Sequence, residues 1–253
     1  MKIGLFDSGV GGLAILKEVK KLMPQVDYYY VADQAHVPYA NKSSSYIKKR
    51  SLAISNWLIK KGVDLIIVAC NTATVSAISQ LRSTYPIHFV GVEPAIKPAA
   101  LETQSGTIII LATDQTLHSK RLKKLIKQFG HNKHIVLYSK PQWLQLAEKG
   151  KVKGKQIKRV IKQDLKKIKN PHSLVLACTH YLFFIPVIKS IFPKVKIYNP
   201  APAIAKQTKR LIKLPDTKKK GVTHIFTTSI NRLNKNVVKR LLGSQIPVKS
   251  IQI

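Results

Sequence analysis

The chain has 253 residues, enough to bury one large core or two of ordinary size. Its 44 Lys+Arg stand against 11 Asp+Glu, leaving +33, a field that attracts anions from small dicarboxylates to nucleic acid and weakens with salt. No stretch approaches the roughly 18 uninterrupted apolar residues of a membrane span, and "MKIGLFDSG" lacks a signal-peptide core, so the expectation is a cytoplasmic protein with no membrane insertion and reduced thiols.

Taken in chain order, short apolar runs alternate with amphipathic segments. "KIGLF" and "DYYYVA" read as strands separated by the helical "GLAILKEVKKLM", and the helix "SSYIKKRSLAISNWLIKKG" leads to the strand "DLIIVA". The helix "TATVSAISQLRSTY", the strands "HFVGV" and "GTIIILA", the helix "TLHSKRLKKLIKQFG" and the strand "HIVLYS" follow. Residues 149–169, with Ile157, Ile161, Leu165 and Ile168 at helical spacing, predict an amphipathic helix with a lysine-covered outer face. No aromatic side chains are interleaved with its lysines as stacking platforms, so a solvated face is favoured over a nucleic-acid site. "SLVLA", "VKIYN" and "THIFTTS" read as strands, with "PAIAKQTKRLIKL" as a helix before the last of them. Such alternation predicts parallel sheets covered by helices, an α/β class.

The order of units repeats loosely. "GLFDSGVGG" and "IIILATDQT" each open a half with a polar loop after a strand, and each half then reaches its own cysteine, Cys70 or Cys178. The expected architecture is therefore two similar α/β domains with parallel sheets, facing each other across a cleft. The first is assigned residues 1–95 plus 208–253 and the second residues 96–207, with the first boundary near "EPAIKPAA".

"GVGGLA" fits the dinucleotide pattern G-x-G-x-x-A, and Asp33 ends the next strand about 20 residues later, where a ribose-binding acid belongs. Asp7 and Ser8 immediately precede the first glycine, however, and a carboxylate there repels a pyrophosphate. The same geometry suits an ammonium group, with Gly9, Gly11 and Gly12 allowing a tight turn and close packing. No cofactor is expected.

Cys70 and Cys178 are the only cysteines, and both end an apolar run: "DLIIVACNTATV" and "SLVLACTHYLFF". Either alone is most simply a small buried hydrophobe. Together with His180 they supply three candidate metal ligands, but the C-x-x-C spacings of structural zinc and of redox pairs are absent, so no metal is expected. Two opposed thiols suit inversion at a carbon: one thiolate removes a proton from one face and the other thiol supplies one to the opposite face. His180, with Glu148 as its candidate orienter, is placed to tune Cys178. Asp7 can serve Cys70 if the first and third strand ends are neighbours.

The motifs "FDSGVGG", "VPYANKS", "VACNTA", "TDQTLHS" and "LACTHY" together resemble the glutamate racemases, over residues 3 to about 186. The resemblance implies cofactor-independent interconversion of L- and D-glutamate for cell-wall peptidoglycan, with Cys70 and Cys178 as the two bases. It further implies that Asp7 and Ser8, Tyr39 and Ala40, Asn71 and Thr72, and Thr179 and His180 hold glutamate. Thr116 matches a threonine near the substrate, and Glu148 an acid supporting the histidine. The family usually has Gly at Ala40, where a methyl crowds the backbone if φ is positive. Gln142, Trp143 and Gln145 replace smaller apolar residues before Glu148.

Two alternatives stay open. One is an aspartate racemase of the same fold, against which His180 in "CTH" weighs because that family tends to carry Glu there. The other is a basic homologue that binds nucleic acid or DNA gyrase and has little racemase activity, kept open by the charge of +33. Homodimers are common in the family, and the sequence carries no interface signal.

Overall fold

The computed structural model describes residues 1–103, 106–166, 168 and 171–253. Its strands are β1 (Lys2–Asp7), β2 (Asp27–Ala32), β3 (Leu65–Val68), β4 (His88–Gly91), β5 (Thr107–Ala112), β6 (His134–Tyr138), β7 (Ser173–Ala177), β8 (Lys196–Tyr198), β9 (Thr223–Thr227) and β10 (Val248–Ser250). They form two sheets, ordered β10-β9-β2-β1-β3-β4 and β6-β5-β7-β8, in which every pairing is parallel. The protein is α/β, as the alternation predicts. Central strands such as β3 (LIIV) and β7 (SLVLA) are buried throughout because helices cover both faces of a parallel sheet, which is why their sequences run apolar without alternating.

The helices are α1 (Leu13–Leu22), α2 (Ser44–Lys60), α3 (Asn71–Thr84), α4 (Ile96–Glu102), α5 (Asp114–His118), α6 (Lys120–Phe129), α7 (Pro141–Glu148), α8 (Lys155–Leu165), α9 (Ile185–Ile191), α10 (Ala201–Arg210) and α11 (Lys235–Leu242). A single apolar cluster runs from Leu5 and Ile67 of the first sheet, through Leu13 and Leu16 of α1, to Leu111 and Leu176 of the second. α1 packs against α10, and α4 packs against α6 and β7.

Several boundaries differ from the sequence expectation. The helix expected over "TLHSKRLKKLIKQFG" is two helices, because Ser119 is extended (φ −65°, ψ 141°) and its hydroxyl caps α6 by accepting from the Leu122 N–H while donating to the Thr116 carbonyl. The long basic helix starts only at Lys155, after Gly154 at φ 105°, and ends at Leu165; Lys167 and Lys169 of that expectation lie outside the described residues. Its buried stripe of Ile157, Ile161 and Leu165 is as expected. The expected helix through Leu214 stops at Arg210. Strand β10 and helices α4, α7, α9 and α11 are short elements the periodicity did not mark.

Candidate active site between the two sheets

Each sheet has a switch point where successive strands are added on opposite sides, between β1 and β3 in the first and between β5 and β7 in the second. Loops leaving the carboxyl ends of strands diverge there and open a crevice. Cys70 follows β3 and Cys178 follows β7, so each thiol stands at the switch point of its own sheet. Both are buried, and both line one enclosed cavity of about 10 Å³. That is room for about one water molecule.

Cys70 is the N-cap of α3, and its sulfur accepts from the Ala73 N–H at 3.4 Å. The helix amino end therefore faces the sulfur, which favours a thiolate. Burial and the neighbouring Asp7 carboxylate outweigh it and push the Cys70 thiol well up. The adjacency of Asp7 was conditional on neighbouring strand ends, and β1 does pair with β3, Phe6 opposite Val68. Asp7 is fully buried: Oδ1 accepts from the Ser8 hydroxyl (3.1 Å) and Oδ2 from the Thr179 hydroxyl (2.8 Å), which reaches across from the second sheet.

On the other side, His180 Nδ1 lies 3.8 Å from the Cys178 sulfur and Nε2 lies 2.5 Å from Glu148 Oε1. Burial alone lowers the basicity of His180, but its hydrogen bonds to Cys178 and Glu148 and their charges hold it well above the usual histidine range. Burial acts to raise Glu148, and the His180 partner, the Gln34 amide and the Val10 N–H outweigh that and leave it below the usual carboxylate range. A raised histidine stabilises the fold below its unfolded pKa and loses that contribution as pH rises through its folded value. A lowered carboxylate does the reverse, losing its contribution as pH falls through its folded value. The stability advantage of the parent over Glu148→Gln is therefore expected to be widest between the unfolded carboxylate and unfolded histidine values, where both contributions are complete, and to shrink as pH moves out through either folded value in urea titrations.

A model of the Asp/Glu/hydantoin racemases matches residues 13–208. A glutamate racemase of Ectopseudomonas mendocina is 35% identical over 253 residues, 97% of this chain and 96% of its own length. The chain belongs to the Asp/Glu/hydantoin racemase family. Among solved structures, Escherichia coli glutamate racemase in complex with L-glutamate and the activator UDP-MurNAc-Ala superposes with a TM-score of 0.83 at 28% identity, covering 99% of this chain and 97% of that one. Francisella tularensis glutamate racemase in complex with D-glutamate does so with 0.82 at 27%, with the same coverage.

In this racemase, the residues expected to hold substrate gather unevenly around the cavity. Ser8, Tyr39, Ala40, Asn71 and Thr72 line it from the first sheet's side, and Thr179 and His180 from the second's. Asp7 stands behind Ser8, and Glu148 borders instead an adjoining vestibule of about 360 Å³. Thr116 stands one layer behind the cavity wall and does not itself line it. Thr113 does, because the extended N-cap of α5 points its hydroxyl inward, and Thr116 backs it at 3.0 Å one turn along. The Tyr39 hydroxyl is committed to Asp33 at 2.6 Å, leaving its ring and backbone as wall. Ala40 lies in a 3₁₀ turn, Tyr39–Asn41, a right-handed conformation that accommodates its methyl.

The glycine-rich loop has its explanation in packing. A methyl on Gly9 would land on the Glu148 carboxylate, and one on Gly11 on the Thr179 hydroxyl and the His180 ring. The glycines admit the side chains of the opposite half, where the dinucleotide reading placed a pyrophosphate. Asp33 is likewise taken, forked by Arg50 (3.0 and 2.9 Å) and bonded by Thr228 (3.0 Å). Gly9→Ala is expected to cost about 10²-fold in kcat by displacing Glu148 or the loop, with the far-ultraviolet circular dichroism retained.

Sequence reasoning missed Gln34, Thr113, Leu144 and Tyr181. Leu144 and Thr113 each form wall shared by the cavity and the vestibule, and the Tyr181 hydroxyl accepts from the Lys140 N–H, tying the start of α7 to the Cys178 loop. Thr113 and Tyr181 lie within the motifs "TDQTLHS" and "LACTHY", which therefore carried a signal for them, whereas Gln34 and Leu144 fall in none and only the tertiary arrangement reveals them. Among the described residues, no helix is long and apolar enough to cross a membrane, and no group of three His, Cys, Asp or Glu side chains is placed to hold a metal ion.

Proposed function

We propose that this racemase interconverts L- and D-glutamate by proton transfer between Cys70 and Cys178, supplying D-glutamate for peptidoglycan synthesis in the cytoplasm. The observation that carries the reading is the shared cavity: two thiols, one from the switch point of each sheet, with no other cysteine in the chain. The relatives' activity and the enantiomers bound in two solved structures support glutamate as substrate.

One thiolate takes the α-hydrogen as a proton, leaving its electron pair on the α carbon, delocalised toward the carboxylate. The opposite thiol then delivers a proton to the other face and becomes the thiolate. The enantiomer reacts by the same steps with the roles exchanged. Asp7 and Ser8 receive the substrate ammonium. Among the described residues Asn71 Oδ1 is buried without a hydrogen-bond partner, and Asn71 lines the cavity with Ser8, so it is a further acceptor for the ammonium. Ammonium binding offsets the Asp7 charge, which after burial is the largest cause that holds the Cys70 thiol up. The carboxylates meet the N–H groups at the start of α3 and the hydroxyls of Thr72, Thr113 and Thr179.

A cavity of about 10 Å³ cannot admit glutamate, so substrate enters an opened cleft. We take residues 1–95 with 208–253 and residues 96–207 as the two bodies that part. Incubating the protein with L-glutamate, D-glutamate and L-aspartate in D2O, without added cofactor, tests the reading. Loss of circular dichroism from both glutamate enantiomers, with deuterium entering at the α carbon, is the expected result; reaction of aspartate alone overturns the substrate, and reaction of none overturns the function.

A further inference from the structure

Polar contacts join the halves: Thr179 to Asp7 (2.8 Å), the Thr72 and Thr113 hydroxyls together (3.0 Å), the Arg121–Glu93 ion pair, and two that end on Glu148. Glu148 Oε1 takes the Val10 N–H (3.0 Å) and the His180 ring (2.5 Å). Its other oxygen, Oε2, takes the Gln34 side-chain amide at 2.6 Å. Gln34 is 1% exposed, in the loop after β2, and that loop is rigidly based: Arg232 donates to the Gln34 carbonyl (3.3 Å) and Asp33 is fixed by Arg50 and Thr228.

We propose that Gln34 is a positioning residue of this racemase, holding the Glu148 carboxylate in the orientation from which it pairs with His180 beside Cys178. The proposal rests on the reading in which Cys178 carries a proton. A neutral amide is the donor this place requires. A hydrocarbon leaves a mostly buried carboxylate oxygen unpaired, and a second carboxylate sets two like charges side by side. The groups facing His180 are Glu148 from α7 and Cys178 from its own loop, with Asp7 one residue away through Thr179. The groups facing Glu148 are His180, Gln34 and the Tyr30 ring, whose hydroxyl donates to the Gly9 carbonyl, while Lys149 beside it is exposed. Release of Glu148 therefore registers first in the His180 ring.

The test compares the parent with Gln34→Leu and Gln34→Glu, by racemisation kinetics and by 15N signals of histidine-labelled protein across pH. In Gln34→Leu, kcat/KM is expected to fall about tenfold, equally in both directions because enantiomers have equal free energies. The His180 titration midpoint falls while the other histidines keep theirs. In Gln34→Glu, activity and the parental His180 signal return as pH falls far enough to protonate the introduced carboxyl, which then donates as the amide did. Gln34→Leu within about twofold of the parent in kcat/KM, with His180 unmoved, overturns the proposal. If Gln34→Leu does not fold, a flat pH profile for Gln34→Glu overturns it alone. If His180 responds as expected but the parent does not racemise glutamate, Gln34 retains its role and the proposed function falls.

Discussion

Cys70→Ala and Cys178→Ala are each expected to lower racemisation of glutamate by at least about 10³-fold in both directions, because each direction needs one sulfur as base and the other as acid. Each variant retains the base that faces one enantiomer. Residual exchange of the α-hydrogen for deuterium is thus confined to one enantiomer, and to opposite enantiomers in the two variants. Neither sulfur contributes much packing that alanine fails to replace, so thermal stability stays close to the parent's. Racemisation within about tenfold of the parent by either single variant would sink the two-thiol mechanism. The same exchange experiment assigns each thiol to its enantiomer.

Trp143→Ala is expected to be the most destabilising of the substitutions considered, by about 3–5 kcal/mol, lowering Tm on the order of 10 °C. The indole is fully buried, edge-on to Tyr181 (5.4 Å between ring centroids) and tilted against Phe184 (5.6 Å), and its N–H donates to Asp164 Oδ2 at 2.8 Å. Removing it opens a cavity and costs Asp164, on α8, a partner that the Gln142 amide only partly replaces. Because α7 also carries Leu144 and Glu148, kcat is expected to fall along with Tm. Trp143→Phe separates the two effects: it keeps most of the packing and loses the hydrogen bond, and differential scanning calorimetry should place it within about 2 kcal/mol of the parent. A loss under about 1 kcal/mol for Trp143→Ala would show that the residues between α7 and the Cys178 loop collapse to fill the space.

Gln142 and Trp143 thus have a joint structural account. Both donate to Asp164, one of only 11 acids in the chain, and together they pin α7 to α8. Lys140 adds its ammonium to the same carboxylate at 3.8 Å. Among the described residues, Gln145 has no side-chain partner that explains it.

Much of this protein was legible in one dimension. Fully buried parallel strands leave uninterrupted apolar runs, and "DLIIVAC" and "SLVLAC" mark both the strands and the sulfurs at their ends. Residues whose chemistry acts next to them in the chain, such as Cys70 with Asn71 and Thr72, or Cys178 with His180, were found for that reason. The glycine loop was legible as a tight approach of some kind, and Asp7 was enough to argue against phosphate.

What only the tertiary structure decided is what crosses between the halves. Gln34 and Glu148 are 114 positions apart, and Asp7 and Thr179 are 172 apart. A side-chain amide carries no local periodicity and no motif, so nothing near Gln34 signals its partner. Thr113 and Thr116 sit three residues apart with the same chemistry, and the choice between them depends on which one the N-cap of α5 turns inward. The register of sheets that meet face to face is set by side-chain volumes over the whole core. The local pattern therefore determines which groups end each strand, and only the packed core determines which of them meet.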